Sequence, residues 1–272
     1  HLPAAAARVI DARASSSARG FTLRRTLSLV ERNLLIYRRS LTPLLSSVVE
    51  PVMYLLSIGI GVGTLVGSVP GVHVRYAAFV APAILATTAM NTALNQTSFG
   101  VFSHIKNDRT YDAIVPTPVS VTDIALGEVL SAVLSGVLSS LGFVAVMAAL
   151  GLIRSWEIVL AVPGSLLVGY AFAAAGLAVT TFLRDFSDFQ LVQLVMLPMY
   201  LFATTFYPLS TYPQWLRPLI QVLPLYQSIE LIREPSLGAL GWHALIPIAY
   251  LLTFGSLALW IAARRMARML LH

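Results

Sequence analysis

The chain has 272 residues, of which 57% are hydrophobic and only 11% charged, with a formal net charge of +6 and no cysteine. A mean hydropathy of +0.78 excludes a water-soluble single domain and leaves an all-α integral membrane protein as the fold class. Disulfides and thiolate-metal chemistry go with the missing cysteines.

The chain opens with "HLPAAAARVIDARASSSARG", which has no continuous apolar core of the signal-peptide kind, so residues 1–20 are expected to form a disordered cytoplasmic tail. In residues 21–43, Leu23, Leu27, Val30, Leu34 and Tyr37 recur at three- and four-residue spacing, with Arg24, Arg25, Arg32 and Arg39 elsewhere around the wheel. That pattern predicts an amphipathic interfacial helix with its arginines among anionic headgroups. A solvated helix packed on a cytoplasmic partner has the same pattern.

A spanning helix needs about 20 mainly apolar residues to cross about 30 Å of hydrocarbon. Six segments within 44–263 meet that requirement: 46–67, 77–101, 124–151, 158–183, 189–207 and 243–263. Residues 264–272 then form a short cytoplasmic tail. With the amino terminus in the cytoplasm, fourteen Arg and Lys residues fall on the inner side and four, Arg75, Arg154, Arg217 and Arg233, on the other. The positive-inside rule therefore places both termini in the cytoplasm and makes 102–123 the main cytoplasmic loop. That loop holds "KNDRTYDAIVPTP" and the only lysine, Lys106; Pro116 and Pro118 stop any helix there. It is either a connecting turn or a docking knob for a soluble partner.

Polar residues inside the spans carry further information. Glu50 precedes Pro51 at the start of the first span, and a charge at the bilayer centre costs about 2.5–3.5 kcal/mol, so Glu50 is expected near the inner surface or facing protein. Glu128 is expected at a similar depth on span three. Thr87, Asn91 and Asn95 recur every four residues on span two, flanked by Thr88, Thr92 and Gln96. This stripe will not face acyl chains; it either lines a cavity or bonds neighbouring helices. Gly59, Gly63 and Gly67 have the spacing of close helix contacts. The segment 208–242 has prolines, tryptophans and tyrosines between apolar patches too short to cross, which predicts broken helices dipping into the outer leaflet. Tyr212 and Trp215 belong at the headgroup boundary, and Glu230 and Arg233, three apart on a helix, are placed to pair.

No G-x-x-x-x-G-K-[ST] occurs, so the chain has no nucleotide site of that kind, and the five histidines lack ligand spacing. No clustered nucleophile and base is visible either, which argues for a non-enzyme, and nothing points to nucleic acid.

Together, "EPVMYLLSIGIGVG" at 50–63, "YAAFVAPAILATTAMNTA" at 76–93, "KNDRTYDAIVPTPVSVTDIALGE" at 106–128 and "FYPLSTYPQWLRPLIQVLPLYQSIELIR" at 206–233 resemble the permease subunits of type 2 ABC exporters. The branch they resemble is the nodulation-factor (lipooligosaccharide) and drug-export permeases. The resemblance implies six spans, a re-entrant outer hairpin at 208–242 and a coupling helix around 104–116 that sits in a groove of a separate ATPase. His104, Lys106, Asp108, Arg109, Tyr111 and Asp112 would make that contact. It further implies a dimer of identical or homologous permeases with two ATP-binding subunits, which would hold ATP and Mg, leaving no cofactor in this chain. Spans one, two and five would border the path, with Glu50, Thr87, Asn91 and Asn95 on it, and Tyr212, Trp215, Glu230 and Arg233 at an extracellular gate. Its place would be the cytoplasmic (inner) membrane of a bacterium, among membrane lipids. Export of an amphipathic or lipid-linked substrate is the expected function; the alternative is a proton-coupled secondary transporter using Glu50 and Glu128.

Overall fold

The computed structural model describes residues 42–67, 69, 75–102 and 121–270, and among them it has helices and no strand. Helix α1 (Thr42–Tyr54) runs on through a π-helical stretch, Leu55–Val62, and a last turn, Gly63–Val66. Helix α2 (Tyr76–Asn95) likewise passes into a π-helical stretch, Gln96–Gly100. Then come α3 (Val121–Ala149), α4 (Ala161–Thr180) after a 3₁₀ turn at Trp156–Leu160, and α5 (Phe189–Phe202). Short α6 (Arg217–Gln221), then α7 (Pro224–Leu237), lead to α8 (Leu245–Leu270). The helix expected at 21–43 lies outside the described residues except for its last two positions, which open α1.

Among the described residues five helices are long and apolar enough to cross a membrane: Val48–Val66, Tyr76–Gly100, Ala125–Ala149, Trp156–Thr180 and Trp242–Arg268. The six expected spans are thus five plus a shorter apolar helix, because the segment expected at 189–207 is helical only from Phe189 to Phe202. Its 14 residues rise about 21 Å, against about 30 Å of hydrocarbon. The helix ends because Ala203 leaves helical geometry and Thr204 takes φ +62°, a left-handed conformation that a β-branched residue seldom adopts. Hydropathy overran this end because residues 203–206, "ATTF", contain no charge to mark it. At the other terminus α8 continues to Leu270, so most of the expected tail is helical.

In a bilayer the apolar effect does little to press one helix on another, and close contact at small residues takes over. Helix α4 is the hub, packed on α2, α3 and α8. A Cβ added at Gly169 would lie 3.5 Å from the Val133 Cα, one at Gly255 3.0 Å from the Ala171 Cα, and one at Gly176 3.0 Å from the Leu94 carbonyl. At each, a glycine lets the neighbouring helix come close; at Gly176 the Thr97 side chain and at Gly255 the Tyr170 ring occupy the space a Cβ would need. Of the first-span glycines, Gly59 and Gly63 abut Ala77 and Tyr76 of α2, whereas Gly61 and Gly67 meet open space. The close-contact spacing is therefore used at 59 and 63 and not at 67.

Helix α7 is the inner piece of the segment that was expected to be broken helices. It starts on Pro224, whose missing N–H costs nothing in a first turn, and ends in left-handed Gly238, with the Ala239 amide donating back to the Glu234 carbonyl at 2.9 Å. Leu225, Ile229 and Ile232 form one buried stripe, and the helix packs on α2, α4 and α8. The amide of Glu157 donates to the Ser155 hydroxyl at 3.2 Å, capping the turn that leads into α4.

Candidate functional site

A cavity of about 730 Å³ lies between α1, α2 and α5. The first wall brings Ser46, Glu50 and Tyr54; the third brings Gln193, Met196 and Tyr200. Between them α2 presents Thr87, Asn91 and Asn95, with Thr88, Thr92 and Gln96 beside them. The four-residue spacing explains this wall: positions 87, 91 and 95 repeat on one face of a helix with 3.6 residues per turn. The two threonines deeper in the bundle satisfy themselves, Thr87 donating to the Ala83 carbonyl and Thr88 to that of Ile84, both at 2.8 Å. Asn91 and Asn95 are exposed on the cavity wall. Glu50 is exposed there too, whereas Glu128 is buried in α3, so the two carboxylates expected at one depth occupy different environments.

The lower part of this wall is shaped by the π-helical stretch, where Gln96, Phe99 and Gly100 line the cavity. A π turn widens the helix and leaves carbonyls poorly matched to the α ladder. Here the Thr180 hydroxyl of α4 lies 3.1 Å from the Thr97 carbonyl and 3.2 Å from that of Ser98. Gly176, one turn earlier on α4, lets the two helices approach closely enough for this contact.

At the opposite end of α2 the residues expected at the outer segment fall into two groups. Arg233 is only 5% exposed. Its Nη1 pairs with Glu230 at 3.1 Å, as the three-residue spacing predicted, and its Nη2 donates to the Thr204 carbonyl at 2.7 Å. The Phe79 ring of α2 covers the guanidinium at 4.0 Å. One cation thus ties α7, α2 and the left-handed bend after α5. Tyr212 instead hangs on α5, its hydroxyl donating to the Leu201 carbonyl at 3.4 Å, while Arg217 Nε donates to the Tyr212 carbonyl at 2.9 Å. Trp215 stands apart and 73% exposed. His104, Lys106, Asp108, Arg109, Tyr111 and Asp112 lie outside the described residues.

Tyr54, Gln193, Tyr200 and Thr204 are additions that sequence reasoning did not make. Gln193 was the accessible one: an amide inside an apolar helix, with Gln190 one turn before it, is a signal of the same kind as Asn91.

The ABC-2 type transporter family matches residues 24–237. The chain belongs to that family. Nodulation protein J of Rhizobium meliloti (strain 1021) is 31% identical over 242 residues, covering 88% of this chain and 92% of the relative. The nodulation protein J of Rhizobium leguminosarum bv. trifolii is 34% identical over 209 residues, 76% of this chain and 79% of the relative. That of Sinorhizobium fredii (strain NBRC 101917 / NGR234) is 32% identical over 243 residues, 88% and 92%. This ABC-2 transporter chain is accordingly a multi-pass membrane permease.

Proposed function

We propose that the chain is the permease subunit of an ATP-binding cassette exporter that moves an amphipathic or lipid-linked substrate outward across a bacterial cytoplasmic membrane. Glycolipids, lipid-linked saccharides such as a lipooligosaccharide, and hydrophobic drugs are the substrate class. The observation that carries this reading is the mixed wall of the 730 Å³ cavity, with amides and hydroxyls of α2 facing Met196, Leu197 and Tyr200 of α5. A saccharide or polar head needs hydrogen-bonding groups without a charge to strip, and an acyl chain needs the apolar side. Asn91 and Asn95 make the first kind of contact in this reading, with Glu50 and Thr87 beside them.

The spans support a two-permease assembly. In α1 only 17% of the spanning window is buried, against 83% in α2, and α5 has no buried residue. A second permease, identical or homologous, seats on α1 and α5 and closes the cavity into a path. Six crossings follow if α5 and the bend at 203–207 together make the short one, which puts both termini in the cytoplasm. The segment 208–242 then forms a re-entrant outer hairpin, with Tyr212, Trp215, Glu230 and Arg233 as the gate.

Energy enters from outside the chain. Two ATP-binding subunits holding ATP and Mg dock on the loop at 102–123 through His104, Lys106, Asp108, Arg109, Tyr111 and Asp112. Their closure favours one of two arrangements of the dimer, inward- or outward-open, and the bias is passed along α2 and α3. The permease itself breaks no bond.

Transport into inside-out vesicles containing both subunits tests the proposal. ATP-dependent uptake that survives collapse of the proton gradient supports it; uptake driven by an imposed proton gradient alone, and lost in Glu50→Gln, overturns it in favour of proton coupling. For the docking loop, Arg109→Glu is expected to leave the protein inserted but abolish permease-stimulated ATP turnover. Unchanged co-purification of the ATPase with normal stimulation would count against that contact.

A further inference from the structure

A second groove, of about 470 Å³, lies at the end of the bundle where α2 begins, and it shares no lining residue with the cavity described above. Leu55, Leu56 and Ile60 of the π-helical stretch form one side, and Leu150 and Leu152, just past α3, the other. Gly59 and Gly63 keep it open, since neither puts a side chain into it. At its rim is Arg75, the residue that precedes α2, exposed and the only charged residue among the described residues of the lining. The other polar groups in the wall are directed elsewhere. Tyr76 donates to the Phe206 carbonyl at 3.3 Å and Thr64 to that of Gly61 at 2.8 Å.

We propose that this groove holds one phospholipid of net negative headgroup, its acyl chain between α1 and the residues past α3 and its phosphate on Arg75. The argument is one of charge and solvent. Among membrane-spanning helices no water is at hand to fill an apolar groove, so acyl chain is the matching occupant. A cation at the mouth of an apolar groove selects a molecule with an anion at one end and hydrocarbon behind it, and the planar fork of a guanidinium suits two phosphate oxygens. Because the described residues of the lining include no carboxylate, none of them receives the ammonium of a zwitterionic headgroup. A net anionic lipid is therefore preferred. The leaflet is the one at the Arg233 end of the bundle, because Tyr76 and Phe79, at the start of α2, touch Phe206 and Arg233. The inference stands on the groove and does not depend on what the permease exports.

The test uses the full purified chain with phosphatidylglycerol and phosphatidylcholine of equal acyl length, and inorganic phosphate as a third arm. Bound lipid is read by native mass spectrometry and its effect by thermal unfolding. Wild type is expected to retain phosphatidylglycerol over phosphatidylcholine, and Arg75→Gln to reduce that preference roughly fivefold, the worth of one arginine near a charged surface. Gly63→Leu, whose new Cβ would lie an ordinary 3.8 Å from that of Tyr76, is expected to lose both lipids by filling the groove. An unchanged preference in Arg75→Gln overturns the proposal, as does equal stabilisation by inorganic phosphate. So does unaltered lipid retention in Gly63→Leu accompanied by loss of the dimer, which would give the groove to a second copy.

Discussion

Helices α2 and α5 border the same cavity, yet they sit in the fold in opposite ways. In α2, 83% of the spanning window is buried, and its polar stripe is the part that reaches open space. In α5, Leu191, Leu194 and Val195 point away from the protein, Leu197 faces the cavity, and no residue is buried. Apolar composition alone does not separate the two. What separates them is the small-residue content: "YAAFVAPAILATTAMNTALN" lets α4 and α7 approach closely, whereas the bulky "FQLVQLVMLPMYLF" offers no such seat. A span of large side chains at the edge of a small-residue bundle is one that another surface must complete.

The comparison is broken most severely at the cation that locks α2 in place. Arg233→Leu leaves Glu230 and the Thr204 carbonyl without their buried partner and is expected to cost about 3–5 kcal/mol. Thermal unfolding in detergent measures it, and recovery of part of the loss in the double variant with Glu230→Leu would show that the uncompensated charge is the cause. Next comes Gly176→Val, which forces a branched side chain against Thr97 and Leu94 of α2 and is expected to cost about 1–3 kcal/mol. An equal loss from an enlargement on the outward face of α5, Leu191→Trp, would erase the distinction between the two helices.

Leu194→Cys sharpens it from the other side. Leu194 is 67% exposed and the chain has no other thiol, so a disulfide-linked pair is expected on oxidation with unfolding unchanged. Ala86→Cys, buried in α2, is expected to give none. Linking at Ala86 rather than Leu194 would reverse the assignment of faces. Smaller again is Asn95→Leu, expected to slow transport roughly fivefold, the loss of about one hydrogen bond, with the fold intact.

The smallest effect concerns the turn between α4 and α5. The backbone amides of Arg184, at 2.7 Å, and Asp185, at 3.2 Å, hold the Asp188 carboxyl below its usual range. A depressed folded pKa gives stability that is present above the unfolded value and lost as pH falls through the folded one. Asp188→Asn is therefore expected to unfold slightly below the wild-type temperature at neutral pH, with the gap closing and the acid limb flattened below about pH 4. An unchanged acid limb would remove Asp188 from the account.

Much of the architecture was legible because a bilayer demands long apolar helices, and five of these stand close to where hydropathy put them. The shared wall of Thr87, Asn91 and Asn95 was legible as a helical period, and the pairing of Glu230 with Arg233 as a three-residue interval. The end of α5 was not. Nothing in "FATTFYP" announces a threonine in the left-handed region, because that geometry is imposed by Arg233, 29 residues on. Nor does local sequence mark the two π-helical stretches, one of which has the Thr180 hydroxyl of another span beside its Thr97 and Ser98 carbonyls. Tertiary hydrogen bonds decided what periodicity could not.

The shortness of α5 has an effect on the lipid around it. A rise of about 21 Å falls about 9 Å below the usual hydrocarbon thickness. Either the two faces of the bilayer draw together beside this helix, or the bend at 203–207 is pulled into the acyl region with its polar backbone shielded. On the proposal that α5 is the short sixth crossing, the barrier for a headgroup is in both cases thinnest at the edge of the protein, and turnover is expected to depend on the acyl length of the host membrane.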